Sequence, residues 1–591
     1  MRSAQADGKN STGKVKQKRM KLILKYLRRH IGIFLISTMF LTLEALADLL
    51  QPTFMSFIVD EGVAYADIRR ILFYGAVMLA IAAVGAFSAV MRNRFASRTS
   101  QTIGKELRRD MYHNVQGLSL ENIDRLQPAS IITRITNDVT QVQEFINSMM
   151  RMMVKSPITC VGAIVLIIIQ TPKQAPIMFA VLVIVSGLIL CNIKIGYPKF
   201  GTVQKKLDRL NGVTREFLSA VRVVKAFRAE DGETEKFDAA SMELALANTA
   251  AMRVMAVFTP LINLAVNFGI VLLLWISKNQ DSAHIGRLMA SVNYMTQVLF
   301  AVTMIANVIN TAVRAMASSG RIQEVLDETP AQAAPENPLR PDIRGDIVFD
   351  HVFFTYAGAG QEALKDLCFH IPAGKTLGII GPTGSGKTTL VNLVPRFYDA
   401  TEGKILVDGC DVTQIDEKLL RTAIAVVPQK ALLFTGKISD NLRWGCQDAG
   451  DGDIAEAARV ACADTFINET EHGYDTLLGQ GGVNLSGGQK QRLSLARALV
   501  RKPKILILDD CTSALDAQTE SAVLNGLQNM GGDVTVLLIS QRISTVMRAD
   551  CILCLDNGAV QGFGSHGELM NSCKTYREIY DSQIGGGTDG Q

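Results

Sequence analysis

Gly381-Pro-Thr-Gly-Ser-Gly-Lys-Thr388 fits the phosphate-loop pattern G-x-x-x-x-G-K-[ST]. A strand-like Thr376-Leu-Gly-Ile-Ile380 leads into it, and a helix-like Thr389-Leu-Val-Asn-Leu393 follows. In that strand–loop–helix setting, glycines let backbone N–H groups converge on phosphate oxygens, and the helix N-terminus favours an anion. The expected nucleotide-binding set is Gly381, Gly384, Ser385, Gly386, Lys387, Thr388 and Thr389. Lys387 reaches the β- and γ-phosphates, and Thr388 ligates Mg²⁺. Further on, Lys504-Ile-Leu-Ile-Leu-Asp509 is an apolar strand ending in a carboxylate. Such a strand delivers an acid to the metal of a phosphate site, so Asp509 joins Thr388 as an expected Mg²⁺ ligand.

What lies N-terminal to this engine is of another kind. The chain has 591 residues, 48% of them hydrophobic, and the long uncharged runs fall within residues 1–320. Six spans are expected near 31–57, 71–92, 142–170, 176–196, 250–277 and 286–316, each long enough for the roughly 20 residues a crossing requires. The N-terminus carries Lys14, Lys16, Lys18, Arg19, Lys21, Lys25, Arg28 and Arg29. No small-residue cleavage site follows a short apolar core, so this is no signal peptide, and the basic stretch places the N-terminus in the cytoplasm. The long polar stretches 93–141 and 197–249 are rich in Lys and Arg and belong on the same side. Six crossings then return the chain to the cytoplasm, where the phosphate loop must be.

The fold class is therefore an α-helical six-span transmembrane domain followed by an α/β P-loop nucleotide-binding domain. The chain divides into a basic N-terminus (1–30), a membrane domain (31–325), a linker (326–345) marked by Pro330, Pro335, Pro338 and Pro341, and a nucleotide-binding domain (346–591). Eight of the ten cysteines lie in that last domain, which faces a reducing compartment. Cys551-Ile-Leu-Cys554 lacks a second Cys/His pair at zinc spacing and reads as buried strand thiols. The net charge of +5 gives no sign of nucleic-acid binding.

Four residues in the spans are costly in lipid: Glu44, Asp48, Arg151 and Lys155. Glu44 and Asp48, four apart, share a helix face. They read either as contacts to a polar or cationic substrate or as members of an internal ion pair or wet vestibule wall. Methionines such as Met149, Met150, Met152, Met153, Met289, Met295 and Met304 read as packing or as a pliable surface for varied ligands.

Leu485-Ser-Gly-Gly-Gln489, placed shortly before the Asp509 strand, resembles the signature motif of the ABC transporters. Other segments match over nearly the whole chain. Tyr356 sits where that family stacks adenine on an aromatic ring. Gln429, in Val427-Pro-Gln429, resembles the Q-loop that senses Mg²⁺. Ser513-Ala-Leu-Asp516 resembles the D-loop, and Gln541, in Ile539-Ser-Gln-Arg542, occupies the switch-histidine position. Val221–Phe227 and Gln127–Val139 resemble the intracellular loops that carry coupling helices. Six spans followed by a nucleotide domain is the arrangement of exporter half-transporters.

The resemblance implies ATP and Mg²⁺ as cofactors, a membrane-embedded position with lipid around the spans, and a head-to-tail dimer. Ser486, Gly487, Gly488 and Gln489 of one chain would then act on the ATP held by the other, with Asp516 beside them.

Two positions depart from the family pattern. The usual catalytic Glu after the Mg²⁺ aspartate is Asp510, shorter by one methylene, about 1.5 Å, and a misplacement of about 1 Å costs on the order of 100-fold in rate. The switch position holds Gln541, which can hydrogen-bond a phosphate but cannot carry an imidazolium charge. Gln480 also stands where a Glu is frequent before the signature. Asp510, Gln541 and Gln429 are thus the catalytic positions of a weakly hydrolytic site. The expected partner is a different half-transporter with the Glu and His intact, as in asymmetric bacterial multidrug exporters. The expected activity is ATP-driven export of a drug-like or amphipathic substrate across the plasma membrane. A homodimeric exporter of lipid or peptide, and a regulatory ABC subunit that binds ATP without pumping, are the alternatives. A soluble signature-bearing ATPase of the DNA-repair type does not accommodate six spans. Residues 1–30 are too few for a protease-like domain, which argues against a leader-processing peptide exporter.

Overall fold

The computed structural model describes residues 20–172, 175–276, 285–529 and 533–584. Lys14, Lys16, Lys18, Arg19 and parts of the outer connections 171–175 and 278–285 lie outside them. The chain forms two compact units: residues 1–116 with 129–327, and residues 117–128 with 328–591.

The first unit is helical. Its main helices are α1 (Ile31–Phe57), α2 (Ile68–Gln116), and, after the short α3 (Leu120–Leu126) of the other unit, α4 (Val139–Ser148), α5 (Lys155–Gln170), α6 (Ala175–Phe227), α7 (Glu230–Ile276) and α8 (Ile285–Leu326). Among the described residues, six helical stretches are long and apolar enough to cross a membrane. Helix α2 has 49 residues, about 74 Å at 1.5 Å per residue, more than twice the ~30 Å hydrocarbon core. The polar stretches 93–116 and 197–249 are thus not separate loops. They are the same helices continued, and α6 runs on even through Pro198 just past the end of its apolar run. The helix pair α6–α7 turns only at Arg228, whose φ is 53°.

Charges inside this unit are paired. Glu44 on α1 is buried and accepts from Arg92 Nε of α2 at 2.5 Å and from Lys155 Nζ of α5 at 2.5 Å. Lys155 also reaches Asp48 at 2.8 Å. The two carboxylates read as costly in lipid are therefore committed to an internal ion-pair network, which pins three helices together. Lower down, buried Asp138 accepts from Ser318 Oγ at 2.9 Å and from Arg321 Nε at 2.7 Å of α8. The Tyr294 hydroxyl donates to the Leu49 carbonyl at 2.9 Å.

The second unit holds two large sheets and a two-stranded antiparallel ribbon of β7 (Gly436–Lys437) and β8 (Leu477–Leu478). One has strand order β2-β1-β4-β5, with β1 (Ile347–Phe354), β2 (Leu364–Ile371), β4 (Glu402–Val407) and β5 (Cys410–Asp411), all antiparallel. The other has order β12-β11-β3-β10-β9-β6, built from β3 (Thr376–Ile380), β6 (Ile424–Val427), β9 (Ile505–Asp509), β10 (Thr535–Ile539), β11 (Cys551–Asp556) and β12 (Ala559–Gly564). Its strands are parallel except for the edge strand β12. Strand β9 is buried at every position, as a strand covered on both faces must be, and this explains its unbroken apolar run. Cys551 and Cys554 lie in β11, where Cys554 is fully buried. The short α3 belongs to this unit. Asn122 Nδ2 donates to the Thr329 carbonyl at 3.0 Å, Ala331 N donates to Asn122 Oδ1 at 2.8 Å, and the Tyr398 hydroxyl donates to Asp124 at 2.6 Å.

Removing Glu44 leaves Arg92 and Lys155 as facing cations without their shared counter-ion. Glu44→Ala is expected to destabilise the chain by about 3–5 kcal/mol, read as a lowered Tm in detergent. Glu44→Gln, which keeps the volume and one acceptor, is expected to lose less.

Candidate functional site

Parallel pairing decides where the site lies. β3, β6, β9 and β10 run the same way, so their C-terminal ends open onto one edge of the sheet, where ligands of such sheets bind. The phosphate loop follows β3, Gln429 follows β6, Asp509 ends β9, and Gln541 follows β10. β10 lies between β3 and β9, with Ile539 in register with both Ile379 and Asp509. Segments distant in sequence are thereby brought to one cavity of about 450 Å³, lined by Tyr356, Gly384, Lys387, Thr388, Asp509, Asp510 and Gln541, with Gly386, Thr389 and Gln429 also in its wall.

The phosphate loop is held tightly. A Cβ on Gly381 would lie 1.9 Å from the Leu555 carbonyl oxygen, so no side chain fits there. Gly386 has φ 98° and caps the helix α9 (Lys387–Leu393) in the left-handed region that favours glycine. Ser385 is buried beneath the loop. Lys387 Nζ donates to the carbonyls of Gly381 at 2.9 Å and Pro382 at 2.7 Å. Burial holds its ammonium below the usual lysine pKa, against the pull of Asp510 and Asp509. The Thr388 hydroxyl lies 3.0 Å from Asp509. Burial is also the main reason why the Asp509 carboxyl is raised above the ordinary range; Thr388 opposes this and Asp510 adds to it. A hydroxyl and a carboxylate oxygen converging beside loop amides and an ammonium fit a triphosphate with a hard divalent cation, which takes oxygen ligands. Tyr356 stands in the wall, its hydroxyl 3.1 Å from Thr389 Oγ1 and its ring edge-on to Tyr398 with centroids 5.4 Å apart.

Asp510 is held by two side chains of the site. Its Oδ2 accepts from Gln541 Nε2 at 3.1 Å and from Gln429 Nε2 at 3.3 Å. Two side-chain amides therefore share one carboxylate oxygen.

Ser486, Gly487, Gly488, Gln489 and Asp516 do not line this cavity. Ser486 is the N-cap of α10 (Gly487–Val500), and Gln489 closes a capping box by accepting from the Ser486 N–H at 2.9 Å. The signature is thus a pre-formed helix start that lies outside the lining of its own domain's nucleotide cavity. Asp516 caps α11 (Ala517–Gln528), accepting from Thr519 N at 2.9 Å.

Three further residues hold these motifs, and sequence motifs gave no signal for them. Gln491 Oε1 accepts from Ala514 N at 3.2 Å, tying the signature helix to the D-loop. Buried Glu520 accepts from Thr512, Thr545 and Arg542 at 2.7–2.8 Å, tying the segments after β9 and β10 together. Gln583 donates to the Gln541 carbonyl at 2.8 Å. Glu362, Lys365 and Asn557 add polar groups to the cavity wall.

Fused in one polypeptide are a membrane domain with six helical stretches long enough to cross a bilayer among the described residues and a domain with a phosphate-loop motif, an acid beside its threonine and a capped helix start at Ser486. Family models agree: residues 34–303 match the ABC transporter transmembrane region and residues 364–513 match the ABC transporter family. The chain is 36% identical over 569 residues to the uncharacterized ABC transporter ATP-binding protein YfiB of Bacillus subtilis, covering 96% of this chain and 99% of that one. It is 29% identical over 573 residues to an ATP-dependent lipid A-core flippase of Vibrio parahaemolyticus, covering 96% and 98%. A solved bacterial Atm1-family ABC exporter with ATP bound superposes with a TM-score of 0.76 at 25% identity, covering 94% of this chain and 98% of that one. The chain belongs to the ABC transporter family and has the build of an exporter half-transporter, a multi-pass membrane protein whose nucleotide-binding domain is cytoplasmic. Family membership implies ATP binding and ATPase-coupled transport.

The raised pKa of Asp509 has a consequence for stability. A carboxyl whose folded pKa lies above its unfolded value favours folding when protonated, and that contribution is lost as pH rises through the folded pKa. Asp509→Asn is therefore expected to raise the Tm of the nucleotide-free protein at pH 7.5, with the gain shrinking as pH falls into the carboxylate range. The same change is expected to remove the Mg²⁺-dependent increase in ATP affinity. Thermal melts with and without Mg-ATP across pH read both effects.

Proposed function

We propose that this chain is one half of a heterodimeric exporter of drug-like or amphipathic substrates, and that its own phosphate loop forms the weakly hydrolytic of two ATP sites. One observation carries the reading: the Asp510 carboxylate oxygen accepts from both Gln541 and Gln429. Hydrolysis adds water across a phosphate bridge, and the attacking water must give up its proton. A carboxylate oxygen already accepting from two amide N–H groups has little lone-pair capacity left to hold an attacking water, and the carboxylate is short of the position a glutamate reaches. Gln541 adds no compensating charge, since an amide cannot become an imidazolium.

The binding apparatus is complete. Lys387, Thr388, Asp509 and the loop amides suit a triphosphate, and the Tyr356 ring suits an adenine face. Bound Mg²⁺ would neutralise phosphate charge between Thr388 and Asp509, with Gln429 at its edge. Ser486, Gly487, Gly488 and Gln489, which do not line this cavity, suit the γ-phosphate of a partner chain with an intact Glu and His. Asp516 would lie beside that junction. A homodimeric lipid exporter is the second reading, favoured by the similarity to a lipid A-core flippase.

The two readings separate in a complex assembled with a second half-transporter. Asp510→Ala is expected to change ATPase activity less than twofold, whereas Ser486→Ala is expected to nearly abolish it. Equal losses from the two variants, or strong activity of the chain alone, would overturn the asymmetric assignment.

A second expectation concerns transmission. Tyr356 contacts Thr389 of α9, packs on Tyr398, and Tyr398 donates to Asp124 of α3. This links the nucleotide wall to the short helix inserted from the membrane half of the sequence. Tyr398→Phe deletes one hydrogen bond without removing the ring. Transport per ATP hydrolysed is expected to fall severalfold, with ATP affinity retained.

A further inference from the structure

The membrane unit contains a cavity of about 400 Å³. Its charged groups are Asp48, Arg92, Arg151 and Lys155, with Glu44 behind them. The two carboxylates are already used: Glu44 by Arg92 and Lys155, and Asp48 by Lys155. Two acids stand against three cations, and Arg151 has no carboxylate partner among the described residues. It lies on a π-helical turn, Met149–Met153, a distortion frequent at functional sites.

Three polar atoms in the cavity wall are buried without a hydrogen-bond partner among the described residues: Arg151 Nε, Thr159 Oγ1 and Gln297 Oε1. A buried polar atom left unsatisfied is costly, and three at one cavity call for a polar occupant that satisfies them. A guanidinium and a hydroxyl offer donors to an oxyanion, and the Gln297 oxygen accepts from a hydroxyl on the same group. Met152, Phe300 and Met304 supply an apolar wall beside it.

We infer that this cavity receives the oxyanionic headgroup of an amphipathic substrate, with Arg151 as its counter-ion and Met152, Phe300 and Met304 against its apolar part. The inference rests on the export reading and gives it a substrate charge. That charge is opposite to the cationic substrate suggested by Glu44 and Asp48 when the sequence is read without their partners.

The test is equilibrium binding of dodecyl phosphate, without ATP, to the full-length chain in amphipol. Lys387→Ala is present throughout, so that the phosphate loop does not compete. Dodecyl phosphate is expected to bind about tenfold or more tightly than dodecyltrimethylammonium, the size of one charge-assisted hydrogen bond. Arg151→Gln is expected to erase the preference, Arg151→Lys to keep most of it, and Arg151→Glu to reverse it. Equal binding of the two amphiphiles, or a preference untouched by Arg151→Gln and Arg151→Glu, would overturn the inference. Inorganic phosphate competing at the same concentration as dodecyl phosphate would overturn the amphiphile in favour of a free-anion site. Arg151-dependent binding without ATP-driven movement of dodecyl phosphate in vesicles holding the assembled complex would leave the site standing and overturn the export reading.

Discussion

The parallel pairing of β3, β10 and β9 is the constraint on which the nucleotide half depends. A parallel strand must be followed by a crossover, and every crossover here leaves from the same edge of the sheet. The phosphate loop, Asp509 and Gln541 therefore meet although the chain between them spans more than 150 residues. Burial of both sheet faces fixes the strands. The same burial makes the site a place where charge is expensive, which is why Lys387 is depressed and Asp509 raised. Anions and cations brought to this edge relieve what the fold leaves uncompensated.

A related logic governs the membrane half. Charge in an apolar surrounding is retained only where it is paired, and Glu44, Asp48, Arg92 and Lys155 satisfy one another across α1, α2 and α5. That pairing crosslinks the helices. It also determines the sign of what remains, because a network with one cation left over presents a positive cavity. Sequence alone places two acids on one helix face but cannot say which cations reach them. Arg92 stands 48 residues from Glu44, and Lys155 stands 111 away.

The same distinction separates what was legible from what was not. Contiguous motifs were legible because their chemistry is local. The phosphate loop needs its glycines in a row, β9 declares itself by an unbroken apolar run, and the signature carries its own helix cap in Ser486 and Gln489. The six spans were legible from length and apolarity, although the helices run on past the membrane where the hydropathy changes. Contacts between remote segments were not legible. Gln429 and Gln541 meet Asp510 across 81 and 31 residues, and Glu520 gathers Thr512, Arg542 and Thr545 with no motif to mark it. The grouping of residues 117–128 with the nucleotide unit depends on Asn122 and Asp124 finding Thr329, Ala331 and Tyr398, which no local pattern encodes.

Asp510 shows why a change of one methylene matters more here than at a surface. Its backbone lies in the left-handed region, with φ 46°, a conformation that aspartate tolerates better than most residues. Its N–H donates to the Ile539 carbonyl at 3.0 Å, and its carbonyl accepts from Ser513 Oγ at 2.9 Å. The backbone is thus tied on both sides and cannot advance to make up for a shorter side chain. The two amides then occupy the carboxylate at the reach it does have. The charge of Asp510 acts on Lys387 and Asp509, but its two side-chain hydrogen bonds go to Gln541 and Gln429 and leave the hydroxyl of Thr388 and the capped Ser486 to their own partners. In the heterodimer we propose, such a site would retain the closing force of two bound nucleotides while only the other site needs to release its own in each cycle.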